Sequence, residues 1–137
     1  MARKLAAQGV GVTLVSDAAI GLSVPRCDAI LVGADAITAD GQLINKAGTR
    51  LAALAARDAG IPAYAVTQTH KICPLGWPVT LTPQAPSDLA IVAGVRVTNL
   101  VFDATPLDWF DGAFTEQGQL TRRLLRATSD ALRTDWC

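Results

Sequence analysis

Short β-rich runs alternate along this chain with alanine- and leucine-rich runs of helical character. Residues 2–8 read as the end of a helix that leads to Gly9. Residues 10–16 (VGVTLVS) are rich in Val and Thr and predict a strand. Residues 17–22 follow as a short helix with Asp17 at its N-cap. Residues 29–33 (AILVG) are continuously apolar, as expected of a buried parallel strand. Residues 38–43 (TADGQL) carry Asp40-Gly41, a tight-turn signal. A helix is then expected from Asn45–Lys46 to Ala59, with apolar positions at Leu51, Leu54 and Ala55 and a stop at Gly60-Ile61-Pro62. Residues 62–67 predict another strand. The stretch 72–88 holds four of the seven prolines and reads as an irregular excursion. Residues 97–103 (VTNLVFD) predict a strand, with a helix starting near Pro106. Residues 119–133 form a last amphipathic helix, with Leu120, Leu124, Leu125 and Leu132 on one side and Arg122, Arg123, Arg126 and Arg133 around it.

Strands alternating with helices predict an α/β fold: an open, mostly parallel sheet flanked by helices. Such sheets take ligands at the carboxyl ends of their strands. Asp17, Asp35, residues 67–71 and Asp103 all follow a predicted strand end. Composition narrows the choice further. The 137 residues carry twelve Lys+Arg against twelve Asp+Glu, so no basic excess marks a nucleic-acid partner. There are nine Arg but three Lys, eleven Asp but one Glu (Glu116), and one His (His70), so few titratable groups are left for chemistry. Three cysteines without a CxxC spacing predict reduced thiols, and a lone His cannot complete a zinc site. No apolar run is long enough to cross a bilayer and no signal-peptide pattern precedes the first strand; a cytoplasmic protein is expected.

Four constellations bear chemistry. Gly33-Ala34-Asp35 ends an apolar strand on a carboxylate, which suits either a general acid/base or a turn cap. Asn45-Lys46-Ala47-Gly48-Thr49 places donors at a helix start, where free N–H groups attract anions. Asn45 alone would read as an N-cap, but Lys46 opposes the macrodipole of a first turn and points to a ligand. Residues 67–71 (TQTHK) bring His70 and Lys71 to a strand end; an exposed loop explains His70, while Lys71 stands near a second anion-binding helix end. Asp103 suits a ligand contact or a cap for the helix near Pro106, and Glu116 lies in a TEQG turn.

The run from Gly33 to Val66 (GADAITADGQLINKAGTRLAALAARDAGIPAYAV) resembles the central signature of the translation initiation factor 2B α/β/δ and sugar-1-phosphate isomerase family. FDATP at 102–106 and TEQG at 115–118 resemble that family's closing motifs, and Asp17-Ala-Ala its Asp-Ser-Ala step. Ala36 is similar to the ribose-1,5-bisphosphate isomerase and initiation-factor branches; the methylthioribose-1-phosphate isomerase branch typically carries Arg there. The resemblance implies a Rossmann-like domain of the ribose-phosphate isomerase/CoA transferase kind over residues 1–137, equivalent to the family's C-terminal domain, with the N-terminal helical domain absent. It implies that Asp35 matches the catalytic proton carrier and that Asn45 and Lys46 contact the substrate phosphate. The reading of the helix start adds Gly48 and Thr49 to the phosphate-binding group, and the strand ends add Gly33, Asp17, Lys71 and Asp103 as candidate pocket residues. No cofactor and no metal are expected. The family's catalytic Cys belongs to a segment that this chain lacks, and neither Cys27 nor Cys73 matches it.

Two functions follow as expectations. One is a sugar-phosphate aldose–ketose isomerase, weak or inactive as this chain alone. The other is a non-catalytic module that binds a phosphorylated ligand, a sugar phosphate or a nucleotide, or serves in assembly. A homodimer is expected because apolar surface would otherwise be left open; no nucleic-acid or membrane partner is.

Overall fold

The computed structural model describes residues 1–84 and 93–134, the last two by backbone alone. The elements are α1 (Ala2–Ala7), α2 (Ile20–Ser23), β1 (Ile30–Gly33), β2 (Ala36–Ile37), β3 (Gln42–Lys46), α3 (Thr49–Ala59), β4 (Ala63–Val66), β5 (Phe102–Pro106), β6 (Gly112–Thr115), β7 (Gly118–Gln119) and α4 (Arg122–Thr134). They build an α/β fold with two sheets. The larger has the order β1-β4-β6-β7, parallel across its first three strands and closed by antiparallel β7. The smaller, β2-β3-β5, is antiparallel throughout. No helix among the described residues is long and apolar enough to cross a membrane.

Local chemistry sets these elements. The β2–β3 hairpin turns at Asp40-Gly41, where Gly41 takes φ 86°, a region that costs a Cβ-bearing residue about 1–2 kcal/mol. Thr38 pins the turn: its hydroxyl accepts the Gln42 N–H at 2.8 Å, and its N–H donates to Gln42 O at 2.9 Å. Helix α3 ends where Gly60 turns left-handed, and the Ile61 N–H returns to Ala56 O at 2.8 Å as a Schellman closure.

The core lies between α3, the inner face of the larger sheet and the smaller sheet. Ile37, Leu43 and Ile72 are its fully buried large side chains, packed with Ala53, Ala56, Ala63 and Ala65. Helix and sheet approach closely because alanines face one another. Leu51 and Leu54, the stripe expected from periodicity, instead face outward, and Ala53 and Ala56 take the inner positions. The other face of the larger sheet is uncovered: register aligns Leu31 with Tyr64 and Gly33 with Val66 and Phe114, and Leu31 is 70 % exposed. Parallel sheets are ordinarily covered on both faces.

Several expectations give way to the structure. Residues 10–16 form no strand and join neither sheet of the described residues; strand composition does not suffice without a ladder partner. Asn45 and Lys46 end β3 rather than open α3, and Gly48 is the N-cap residue, because β3 completes its ladder with β5 first. Ser16, not Asp17, is the N-cap residue of the 3₁₀ turn Asp17–Ala19. Residues 97–101 stay outside a strand: Phe102–Pro106 forms β5, and a 3₁₀ turn at Leu107–Trp109 replaces the helix expected near Pro106. The last helix begins at Arg122 because Gly118–Gln119 pairs with β6. Residues 72–84 are irregular, as expected; residues 85–88 of that excursion, the Arg133 side chain and Cys137 lie outside the described residues.

Leu43→Ala should therefore cost about 2–5 kcal/mol, because Leu43 is fully buried. Leu51→Ala should stay within about 0.5 kcal/mol. Urea denaturation with an unchanged slope checks both, and equal costs would mean that Leu51 belongs to the core.

Candidate functional site

The carboxyl rim of the larger sheet gathers three strand ends. β1 delivers Gly33-Ala34-Asp35. The Asp35 carboxylate is exposed and makes no hydrogen bond among the described residues, while its N–H donates to Ile44 O at 2.8 Å. β4 delivers Thr67, whose N–H donates to Phe114 O at 2.9 Å, and then the 3₁₀ turn Thr69–Lys71. From that turn the Lys71 ammonium donates to Ala34 O at 2.7 Å, linking β4 to β1 one residue from Asp35. β6 leads to Glu116, whose carboxylate accepts the Thr69 N–H at 3.0 Å and the Thr69 hydroxyl. Those bonds to Thr69, the hydroxyl foremost, hold the Glu116 carboxyl below its ordinary acidity range.

A second group stands beside this rim. The Asn45 side-chain amide donates to the Thr49 hydroxyl at 3.0 Å, and that hydroxyl donates to Lys46 O at 2.8 Å. The Lys46 ammonium lies 4.5 Å from the centroid of the Phe102 ring, a cation–π contact. Gly48 takes φ 109°, and Ile20 packs close to it, so the turn that begins at Asp17 borders this group. The two groups meet through the bond from Asp35 to Ile44, because Ile44 immediately precedes Asn45 in β3.

Asp103 sits differently from the expectation that it caps a helix near Pro106. It caps α3: its Oδ2 accepts the Gly48 N–H at 2.9 Å and the Arg50 N–H at 3.0 Å. Two of the amides available to an anion at this helix start are thereby taken by the protein's own carboxylate. Any phosphate here is left to Lys46, Asn45 and the remaining amides.

Sequence reasoning missed Arg50, and the contacts of Thr67 and Glu116, which it had named. Arg50 donates to Ala104 O at 2.9 Å and lies 4.5 Å from the Trp109 ring, which Arg57 approaches at 5.3 Å. Thr67 is buried, and its hydroxyl has no partner among the described residues. The Glu116–Thr69 link joins residues 47 apart, which no local pattern reveals. His70 is exposed. Burial pushes the Cys73 thiol above its ordinary range, so it stays protonated at neutral pH and is a poor nucleophile; Cys27 is exposed near the opposite end of β1. Cavities of ≈ 340 and ≈ 420 Å³ lie away from Asp35, Lys46 and Lys71. The first is lined by Arg122, Leu125 and Arg126, the second by Leu75 and Trp77. The candidate site is an open rim.

Asp103→Ala should destabilise the protein by about 0.5–2 kcal/mol, and Asp103→Asn by less, read by thermal or urea unfolding. Indistinguishable variants would show that the carboxylate does not hold α3. Glu116 gives a pH signature. Its folded pKa is lowered, so its contribution is present above the unfolded value of about 4.3 and is lost as pH falls through the lower folded value. Glu116→Gln should therefore be less stable than the parent at neutral pH, with the gap closing in acid. A gap independent of pH would contradict this.

With this geometry described, comparison places the chain among known proteins. The sequence pattern of the Initiation factor 2 subunit family matches residues 1–122. A ribose 1,5-bisphosphate isomerase of Archaeoglobus fulgidus is 38% identical over 125 residues, covering 86% of this chain and 40% of that protein. Among solved structures, a translation initiation factor eIF-2B of Pyrococcus horikoshii superposes with TM-score 0.75 at 37% identity, covering 87% of this chain and 42% of that one. A 5-methylthioribose 1-phosphate isomerase from the same organism gives 0.79 at 30% identity, with 90% and 39% covered. The chain thus spans about 40% of the length of the relatives it matches. It belongs to the Initiation factor 2 subunit family.

Proposed function

We propose that this chain is the sugar-phosphate-binding, proton-transferring part of an aldose–ketose isomerase of the ribose-1,5-bisphosphate type. The observation that carries the reading is the meeting of Asp35 with the Asn45–Thr49 turn through the Asp35–Ile44 backbone bond, with Lys71 fastened one residue away. An acid/base group and a cationic, donor-bearing turn are thereby neighbours on one rim. Two relatives, one of them with a solved structure of this fold, carry isomerase names. The domain corresponds to the C-terminal part of such an enzyme, over residues 1–137.

Isomerisation of a ribofuranose 1-phosphate breaks the C1–O4 bond. It moves the C2 proton to C1, leaves a carbonyl at C2 as the O2 proton departs, and protonates O4. Asp35 would carry the proton between C2 and C1. Lys46 and the Asn45 amide would hold a phosphate, and Lys71 would face the charge developing at the oxygens. A second group must handle O2 and O4, and the described rim offers no thiolate for it. The chain alone should therefore bind a sugar phosphate and turn it over weakly or not at all.

The position of Asp103 favours a second reading, a non-catalytic ligand-binding or assembly module, since a carboxylate already fills part of the α3 start. One experiment separates the two: calorimetric titration with ribose 1,5-bisphosphate, alongside NMR detection of ribulose 1,5-bisphosphate in deuterated water. Lys46→Ala should weaken binding about tenfold or more. Asp35→Asn should retain binding and lose any turnover or C1 deuterium exchange. Binding without detectable exchange in the parent would favour the module, and no binding would sink the isomerase reading and leave the module its assembly role alone.

A further inference from the structure

β6 and β7 are joined by Glu116 and Gln117 alone, since Thr115 already pairs with Gly118. The Thr115 hydroxyl donates to Gly118 O at 3.2 Å and accepts the Gln117 N–H at 3.1 Å. A two-residue loop bonded in this way keeps its backbone in one conformation. From it the one Glu of the chain reaches the segment that follows β4. Its carboxylate takes both donors of Thr69, the N–H at 3.0 Å and the hydroxyl. Thr69 opens the 3₁₀ turn Thr69–Lys71, and Gln68 before it supplies no side-chain cap. Glu116 thus caps that turn from beyond a different strand, with charge-assisted bonds. On the far side of the turn Ile72 is buried and bridged to Ile37. Between these two anchors the half-buried Lys71 side chain leaves the turn and donates to Ala34 O at 2.7 Å.

We propose that Glu116 is a positioning residue for Lys71: through Thr69 it holds the turn from which the Lys71 ammonium reaches Ala34 O, and so fixes a cation one residue from Asp35. The strap runs across the carboxyl ends of β6, β4 and β1, three neighbours in the sheet. An ammonium carries three donors. Ala34 O takes one, which leaves two for an anionic group of a ligand. A lysine stem ordinarily gives up rotamer freedom when it meets an anion; here the bond to Ala34 O orders it beforehand. Glu116 therefore acts through Lys71 and not on the ligand. The positioning stands on the hydrogen bonds themselves. Only the identity of the anion, a sugar phosphate, rests on the isomerase reading.

The chain has three lysines, so isotopic labelling of the lysine Cε atoms gives three groups of Hε signals by NMR, assigned by single Lys→Arg variants. A held stem shows two inequivalent Hε shifts, whereas a freely rotating one, such as exposed Lys4, shows one averaged shift. Glu116→Ala and Thr69→Val should each collapse the Lys71 pair toward the Lys4 position. The Lys46 signal and the circular dichroism spectrum should stay unchanged. In titrations with ribose 1,5-bisphosphate both variants should bind about three- to tenfold more weakly, and neither should weaken binding further in a Lys71→Ala background. A Lys71 pair unmoved by Glu116→Ala overturns the proposal, as do losses that add to that of Lys71→Ala. If the parent binds no ribose 1,5-bisphosphate while Glu116→Ala still collapses the Lys71 pair, the positioning stands and the isomerase reading falls.

Discussion

The Asp103 carboxylate joins the two halves of this fold. It projects from β5, in the antiparallel sheet, and accepts the Gly48 and Arg50 amides at the start of α3, the helix that lies on the parallel sheet. A carboxylate at a helix start gains from both the unsatisfied amides and the macrodipole. Arg50 doubles the joint by donating to Ala104 O next along β5, and its guanidinium stacks over Trp109 beyond that strand. The position of β3 follows, since β3 runs directly into this turn and pairs with β5 along its whole length. Asp35 follows in turn, since its backbone is bonded to β3. The candidate site is thus placed by a contact between residues more than fifty apart.

That distance explains what the sequence could and could not convey. Elements specified locally were legible. The Asp40-Gly41 hairpin rests on one positive φ and one threonine hydroxyl, and the stop of α3 at Gly60 rests on one left-handed residue. β1 and β4 were readable as short apolar runs bounded by turns. Elements specified by a neighbour were not. Residues 10–16 have strand composition yet find no edge, and Asn45 and Lys46 have a helix-start signature yet are held in a ladder by β5. The stripe Leu51–Leu54–Ala55 satisfied helical periodicity, but the space between α3 and the sheet is set by small residues, so Ala53 and Ala56 went inside. Asp35, Lys71 and Asp103 were named by their place after predicted strand ends, and Asn45 to Thr49 by a helix-start signature. Their bonding was hidden, because Lys71 to Ala34 and Glu116 to Thr69 are tertiary contacts.

Exposure is the step that separates this geometry from efficient catalysis. Proton transfer at carbon gains from a carboxylate in a water-excluded site, where fixed dipoles replace hydration and electrostatic contacts strengthen. Here the rim is open. Asp35 is exposed, Lys46 shares its charge with the Phe102 ring at the surface, and the larger cavities lie elsewhere. The outer face of the parallel sheet is bare over Leu31, Val66 and Phe114, the same strands that end at the rim. On the isomerase reading, the groups proposed to hold phosphate already stand at this rim, whereas proton transfer at carbon would gain from any cover that excluded water there.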